Sequence, residues 1–144
     1  MPNCNIHISY MNIAKEISKR SYAKRLKVGA IIVKNNSIIA DGYNGMPYGF
    51  DNICETDNVT NTEVLHAESN AIAKIAKSTQ SSENGTMYVT VSPCLECAKL
   101  IIQSGIKNLY FETRYRTTAG IDLLKRAKIN VFEKDKKDNN FCEY

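Results

Sequence analysis

The sequence carries two short motifs of metal-ligating residue types, and each stands where a helix is predicted to begin. The first, His66-Ala67-Glu68, lies near the start of an apolar pattern of helical period from Glu63 to Lys77. The second, Cys94-Leu95-Glu96-Cys97, follows a predicted strand and a proline, a residue that is frequent at helix starts. Three candidate ligands therefore come from two helix N-termini, and a fold that uses them together must place those two helix ends side by side.

The rest of the hydrophobic pattern predicts an alternation of helices and strands. Apolar residues at spacings of three and four predict a first helix over Asn5 to Ser21, and β-branched runs at 28–33 and 37–40 predict a β-hairpin. Further strands are predicted at 86–91, 108–111 and 130–132, and further helices at 94–104 and 118–127. This order is typical of an α/β sheet. Residues 42–62 are predicted to be a long binding loop, and residues 134–140 a solvated tail.

Composition limits the class of protein. A chain of 144 residues with 43% hydrophobic and 24% charged residues is expected to form one globular domain over residues 1–144. The net charge of +4 is too small to require a nucleic-acid partner, although it fits a protein that binds phosphorylated ligands. The longest apolar run, Val28 to Val33, is far shorter than the roughly 20 residues of a membrane span, and the N-terminus lacks the pattern of a secretory signal. We therefore expect a cytoplasmic protein whose five cysteines are thiols.

One imidazole and two thiolates form a ligand set that zinc favours in catalytic sites. His66, Cys94 and Cys97 leave the fourth tetrahedral position for water, whereas a structural zinc-ribbon module needs a fourth strong ligand. Zinc lowers the pKa of such a water toward neutrality, and the positive ends of two helices favour the thiolates. Glu68 is the acid–base candidate, but positions two apart in a regular helix point roughly 200° away from each other. Periodicity therefore does not establish that Glu68 and His66 face the same ion.

The two motifs together resemble the His-x-Glu and Pro-Cys-x-x-Cys signature of the zinc-dependent nucleoside and nucleotide deaminases. Within that superfamily the chain is similar, from Lys27 to about Phe132, to the deoxycytidylate (dCMP) deaminases of viral or phage type. The similarity is carried by Gly42-Tyr43-Asn44-Gly45-Met46-Pro47, by residues 66–71, by residues 88–94 and by Tyr115. The resemblance implies a three-layer α/β/α cytidine-deaminase-like fold with a central mixed sheet of about five strands. It also implies hydrolysis of dCMP to dUMP, a supply route to thymidylate.

The resemblance further implies a role for each site residue. One catalytic Zn²⁺ per subunit is expected on His66, Cys94 and Cys97, with Glu68 moving protons between the water, N3 of cytosine and the departing amino group. The remaining substrate contacts are expected from the amides of Ala67 and Cys94, the carbonyl of Ser92, Tyr115 beside the base, and Asn44 at a sugar hydroxyl.

The substrate phosphate is expected to meet basic residues between Lys15 and Lys34, a stretch in which Glu16 is the single acidic residue. The candidates are Ser21, Lys24, Arg25 and Lys27, of which Arg25 and Lys27 are preferred. Two alternatives remain open. Arg114 and Arg116 can instead reach the phosphate of a neighbouring subunit, or the basic stretch is simply a solvated face.

The resemblance also implies regulation and assembly. Gly42, Tyr43, Asn44 and Gly45 resemble the segment linked to triphosphate effectors, which predicts activation by dCTP and inhibition by dTTP in a homohexamer. A bifunctional dCMP/dCTP deaminase and a tRNA adenosine deaminase are alternatives with the same metal ligands. A second, structural metal site built from His7, Cys4, Cys54 and Cys142 is a further alternative, and otherwise these cysteines are expected to be loop and terminal thiols.

Overall fold

The computed structural model describes residues 2–144, with side chains described from residue 6 onward, so the Cys4 thiol lies outside the described part. The helices are α1 (Pro2–Ser18), α2 (Ala67–Ala76), α3 (Leu95–Gln103) and α4 (Ala119–Arg126). The strands are β1 (Gly29–Lys34), β2 (Ser37–Tyr43), β3 (Glu55–Thr56), β4 (Val59–Thr60), β5 (Thr86–Val91), β6 (Asn108–Thr113), β7 (Asn130–Lys134) and β8 (Phe141–Glu143). Among residues 2–144, every helix falls short of the length and apolar character that a membrane crossing requires.

Six strands form one mixed sheet in the order β2-β1-β5-β6-β7-β8. The strands β5, β6 and β7 are parallel, whereas β1 runs antiparallel to both β2 and β5. The sixth strand, β8, lies beyond the five expected, and it pairs antiparallel with β7. It has only three residues, too few to show a period in sequence. The expected solvated tail is also wrong at its first residue, because Lys134 belongs to β7 and bonds Glu112 at 2.6 Å.

Helices cover both faces of this sheet. Alternate residues of β1 point to opposite faces, as the twofold period of a strand requires. Ile32 packs in the larger core with α2, α3 and α4, whereas Ile31 packs with Met11 and Ala14 of α1. The same alternation continues along β5 and β6. The expected three-layer α/β/α architecture is therefore confirmed.

On the α1 face, aromatic rings enclose a histidine. His7 Nδ1 lies 2.7 Å from the Tyr88 hydroxyl, and Nε2 lies 3.4 Å from the Tyr110 hydroxyl. The imidazole is also stacked on the Tyr110 ring, with centroids 4.3 Å apart. Burial lowers the pKa of His7, so the folded protein favours the neutral imidazole there.

The segment expected to be an unstructured loop over 42–62 is partly ordered into strands. Strand β2 continues through Tyr43, and residues 55–60 form the β3–β4 hairpin, whose turn residues Asp57 and Asn58 have φ of 52° and 63°. Asparagine and aspartate tolerate this left-handed region better than other non-glycine residues. The hairpin escaped sequence analysis because each strand has only two residues.

The second predicted helix begins later than its apolar pattern suggests. Gly45 and Leu65 exchange two backbone hydrogen bonds, of 3.0 and 2.8 Å, and this bridge keeps the chain before α2 extended. The helix therefore starts at Ala67 and not at Glu63, and His66 is its N-cap residue. The predicted helix began too early because Val64 and Leu65, which lie at the bridge, have helical spacing to later apolar residues.

Candidate active site

The three candidate ligands meet at the adjacent N-termini of α2 and α3. His66 and Cys94 are the N-cap residues of these helices, and both have extended backbone, with ψ of 158° and 173°. Cys97 lies in the first turn of α3. His66 Nδ1 is 3.5 Å from Cys94 Sγ and 3.3 Å from Cys97 Sγ, and the three ligand atoms all lie within 4.8 Å of one another.

This geometry fits a tetrahedral zinc ion. Bond lengths of about 2.3 Å to sulfur and about 2.1 Å to nitrogen place two tetrahedral ligand atoms roughly 3.6 Å apart. The two sulfur–nitrogen distances agree with that separation to within a few tenths of an ångström. Three protein ligands leave one coordination position for a reactant, the arrangement of catalytic zinc sites. His66, Cys94 and Cys97 would hold the ion.

The electrostatics of the cluster favour a thiolate. Hydrogen bonds from Cys97 and His66 lower the pKa of Cys94 to about 3. The backbone amide of Cys97 also donates to Cys94 Sγ, at 3.5 Å, as a capping bond at the start of α3. Unpaired amides at a helix N-terminus stabilise negative charge in the same way. Cys94 is therefore prepared to bind a cation.

Glu68 lies beside the ligands in the first turn of α2. The helical rotation between residues two apart does not apply to Glu68 and His66. His66 is an extended N-cap residue and not part of the helix, so the two side chains need not point in different directions. Both residues line the same cleft. Glu68 is 4% exposed, and burial raises its pKa to about 7, although the positive charge of His66 acts in the opposite direction. A carboxyl group with this pKa exchanges protons readily near neutral pH.

His66, Glu68 and Cys94 line a cleft of about 720 Å³, a volume typical of small-ligand sites. One wall is the segment between α1 and β1, including Leu26 and Val28. A second wall is the β3–β4 hairpin, and a third is the chain that follows β6. The predicted residues that line this cleft are Arg25, Asn44, His66, Ala67, Glu68, Ser92, Cys94 and Tyr115.

Three of the four residues expected at the substrate phosphate, Ser21, Lys24 and Lys27, do not line this cleft. Ser21 is buried, and its hydroxyl donates to the Asn44 carbonyl at 2.7 Å and accepts from the amide of Ala23 at 3.1 Å. Lys27 points to a separate basic depression, which we call the lysine pocket; it is lined by Lys19, Arg20, Ser21, Tyr22, Ala23, Lys24, Lys27 and Tyr43. Arg25 lines the cleft while Lys27 lines the lysine pocket, so the structure does not bring these two side chains together in one site.

Asn44 lines the cleft and also fixes the backbone of one of its walls. Its Oδ1 accepts from the Val28 amide and its Nδ2 donates to the Leu26 carbonyl, both at 2.8 Å. An amide side chain has two acceptor lone pairs and two donor hydrogens, so each end retains one bonding position. Asn44 can contact a ligand while it keeps residues 26–28 in place.

The third wall is fixed by Ser92 and Arg114. Ser92 Oγ accepts from the Tyr115 amide at 2.7 Å. Arg114 forms a bidentate ion pair with Glu133, at 2.8 and 2.9 Å, which raises the pKa of its guanidinium. Arg116 lies over the Tyr115 ring, 5.3 Å from the centroid. Of the two arginines suggested as alternative phosphate ligands, Arg114 is therefore already paired with a carboxylate.

The segment Gly42 to Gly45 serves several separate purposes. Gly42 faces α2, Tyr43 lines the lysine pocket with Arg20 5.4 Å from its ring centroid, and Gly45 makes the bridge to Leu65. Asn70 of α2 donates to the Tyr43 carbonyl at 2.8 Å. The segment thus joins the lysine pocket to the helix that begins with the candidate ligands.

Sequence reasoning missed the contribution of the β3–β4 hairpin. Cys54, Glu55, Val59 and Thr60 line the cleft. The signal that could have found them was the unusual length of the loop, together with Asp57-Asn58 as a pair that tolerates a tight turn. The pattern of apolar and polar residues gave no signal for this hairpin, since a two-residue strand has no period.

The alternative of a second metal site is not supported by the described side chains. His7 is engaged by tyrosines on the α1 face, Cys54 is buried at the cleft, and Cys142 is exposed on β8. Within residues 6–144, His66, Cys94 and Cys97 form the one cluster of three potential ligands. Burial raises the pKa of Cys54, as expected for a thiol in an apolar setting.

Comparisons with known proteins agree with this geometry. Residues 4–113 match the family described as the cytidine and deoxycytidylate deaminase zinc-binding region. Deoxycytidylate deaminase of phage T4 is 36% identical, over 90% of this chain and 90% of that protein. Human deoxycytidylate deaminase is 41% identical over 71% of this chain and 61% of the human protein.

A solved structure extends the likeness to the fold. The dCMP deaminase of cyanophage S-TIM5, crystallised with dCMP and dUMP, has a TM-score of 0.88 and 46% identity to this chain. The similarity covers 90% of this chain and 96% of that one. The ligand cluster, the buried carboxyl group and these relatives lead to one conclusion: the chain belongs to the cytidine and deoxycytidylate deaminase family of hydrolytic enzymes.

Proposed function

We propose that this chain catalyses the hydrolytic deamination of dCMP to dUMP, with one catalytic zinc ion per subunit. The observation that carries the proposal is the position of the buried Glu68 carboxyl group beside the His66, Cys94 and Cys97 cluster, in the lining of a cleft with room for a nucleotide. The phage T4 and cyanophage relatives named above support dCMP as the substrate.

In this mechanism Glu68 is the proton carrier. Zinc on the three ligands would supply Lewis-acid activation of the attacking water. Glu68 takes one proton from that water as its oxygen bonds to C4, and delivers it to N3 of the ring. It then carries the second proton from the new C4 hydroxyl to the amino group, which leaves as ammonia while C4 becomes the carbonyl of dUMP. The pKa of Glu68 near 7 suits both directions of transfer.

Neighbouring groups orient the base. Ala67 is the first residue of α2, and its amide has no acceptor within the helix, so it can donate to a pyrimidine carbonyl. The Cys94 amide is assigned a similar role. The Ser92 carbonyl accepts from the amino group, and Tyr115 packs beside the ring while its amide is held by Ser92. Asn44 uses its remaining bonding position for a sugar hydroxyl.

Arg25 and Arg116 are the proposed phosphate ligands. Both line the cleft, whereas Arg114 is paired with Glu133. Among residues 6–144, no carboxylate lies within 4.0 Å of the guanidinium of Arg25 or Arg116. A guanidinium without an anionic partner can bind a phosphate through several hydrogen bonds.

The remaining features of the proposal concern regulation and assembly. Residues 1–144 form one deaminase domain, which assembles as a homohexamer in the cytoplasm and supplies dUMP for thymidylate synthesis. Activation by dCTP and inhibition by dTTP are assigned to the segment Gly42 to Gly45. The adjacent lysine pocket supports this assignment, because three basic residues there without an ion-pair partner among residues 6–144 suit a triphosphate: Arg20, Lys24 and Lys27, whereas Lys19 pairs with Glu16 at 2.7 Å.

Ammonia release by zinc-loaded protein tests the proposal. The substrates are dCMP, dCTP, deoxycytidine and an adenosine-containing anticodon stem-loop, each with and without added dCTP or dTTP. Turnover of dCMP that dTTP suppresses is the expected result. Comparable turnover of dCTP would make the enzyme bifunctional, and release from the RNA alone would refute dCMP as the substrate. A hyperbolic dCMP saturation curve that neither triphosphate changes would refute the effector assignment.

A further inference from the structure

The segment between α1 and β1 forms one wall of the cleft but has no strand or helix of its own. Residues 20–28 lie outside every regular element, and side chains from other segments accept from or donate to several of their backbone groups. Ser21 and Asn44 hold the two ends of this segment, as described above. The middle of the segment, at Lys24 and Arg25, depends on another residue.

That residue is Glu55, the first residue of β3. A single carboxylate oxygen, Glu55 Oε1, accepts from the backbone amides of Lys24, at 2.9 Å, and Arg25, at 3.1 Å. The two contacts join positions about thirty residues apart, across the mouth of the cleft that both walls line. Glu55 therefore fixes the backbone at the point where Arg25 leaves the wall.

The same hairpin also touches the side chain of Arg25. Arg25 Nη1 lies 3.4 Å from Thr60 Oγ1 on β4, which is a contact with a neutral acceptor. Glu55 takes the backbone amide and does not form an ion pair with the guanidinium. The hairpin thus fixes the direction of Arg25 while it leaves the positive charge without an anionic partner.

We propose that Glu55 is a positioning residue that sets the preference of this enzyme for a nucleotide over a nucleoside. By fixing the Arg25 backbone it presents the guanidinium to the 5′-phosphate, so that little ordering of the segment is needed when the nucleotide binds. This inference rests on the proposed function, in which Arg25 contacts the phosphate. It assigns the β3–β4 hairpin a role in substrate choice that does not involve contact with the reacting atoms.

The test compares kcat and KM for dCMP and for deoxycytidine in zinc-loaded variants. The variants are Glu55→Ala, Glu55→Gln, Arg25→Ala and the double Glu55→Ala/Arg25→Ala. Glu63→Ala, which removes an exposed carboxylate from the same connection, is the matched control. Arg25→Ala should raise KM for dCMP roughly tenfold or more, since it removes hydrogen bonds to a charged group.

Glu55→Ala should raise KM for dCMP roughly fivefold, with kcat and the kcat/KM for deoxycytidine within about twofold of wild type. Glu55→Gln should restore KM, because the amide oxygen accepts the same two backbone hydrogen bonds. The double variant should be no worse than Arg25→Ala, because the positioning has value only while the guanidinium is present.

An equal loss for both substrates in Glu55→Ala would overturn the inference, because it would indicate a general structural role. The inference would also be overturned if KM for dCMP were raised as much in Glu55→Gln as in Glu55→Ala. It would be overturned too if the double variant showed the product of the two single increases in KM. If Glu55→Ala does not fold, Thr60→Val removes the other contact of the hairpin with Arg25. It should raise KM for dCMP and spare deoxycytidine, and an equal loss for both substrates would overturn the inference. Wild-type protein inactive on dCMP would refute the proposed function as well, and unchanged KM in Arg25→Ala would refute the phosphate contact.

Discussion

Replacing Gly42 by alanine tests whether the close contact between β2 and α2 holds the metal ligands in place. A Cβ at residue 42 would lie 2.6 Å from the Ala71 amide nitrogen and also against the Ala67 carbonyl oxygen. Both atoms belong to the backbone of α2, so neither can rotate away as a flexible side chain would. The helix must move outward from the sheet, and its start carries His66 and Glu68.

The magnitude follows from the cost of overpacking. Adding a methyl group to a closely packed contact costs about 1–3 kcal/mol, so about 2 kcal/mol is expected for Gly42→Ala. For a chain of this length that corresponds to a Tm lower by roughly 4–8 °C. Thermal unfolding, zinc content and ammonia release from dCMP at 25 °C would be measured on the same preparation. Bound zinc and activity should both fall well below the wild-type level.

Gly45→Ala is the matched control, because no atom lies within 4 Å of a Cβ built at that position. Its Tm should stay within about 2 °C of wild type, as for an ordinary surface substitution. Unchanged Tm, zinc content and activity in Gly42→Ala would refute the packing argument. Full activity without effectors, combined with lost control by dTTP, would instead favour a direct effector contact at Gly42.

Three further predictions concern the reaction and the fold. Glu68→Gln should lose roughly 10²–10⁴-fold in kcat, since the amide cannot carry a proton. Metal analysis should show that this variant retains stoichiometric zinc, and loss of zinc would contradict the assigned role. Chelation of the metal, or Cys97→Ser, should abolish ammonia release and lower the Tm, and re-addition of zinc should restore the chelated wild type alone. Because burial lowers the pKa of His7 in the folded state, that state binds fewer protons there than the unfolded chain does. The contribution of His7 to the free energy of unfolding should therefore be fully present above pH of about 6.5 and be lost as the pH falls below it. Denaturant titrations at pH 5, 6 and 7 would show a smaller pH effect in His7→Phe, and an equal effect in both proteins would exclude His7 as its source.

The regular elements could be predicted because their periods are long enough to read. Helix α3 has apolar residues on one face, and strand β5 is a mainly apolar run. Both elements lie close to their predicted bounds. The β3–β4 hairpin and β8 could not be predicted, since two or three residues show no period. The start of α2 was misplaced because the bridge between Gly45 and Leu65 depends on pairing with a distant segment.

The candidate site divides in the same way. The candidate ligands and the candidate proton carrier follow from residue type and local spacing, so His66, Glu68, Cys94 and Cys97 could be singled out from the sequence. The candidates for the phosphate could not be separated from the sequence, because only the folded chain shows that Arg25 lines the cleft and Lys27 lines the lysine pocket. Arg114 has the charge expected of a phosphate ligand, and only its contact with Glu133 shows that it is already paired with a carboxylate.

The sequence by itself therefore determined the chemistry of this protein, because ligand type, motif spacing and hydrophobic period are local properties of the chain. Only the tertiary structure decided which groups act together. It made His66 an extended N-cap residue, so that it lies on the same cleft as Glu68, and it placed Glu55 against the backbone of Arg25. These relations depend on contacts between residues far apart in the chain, and their direction is set by the packing of the whole sheet and its helices.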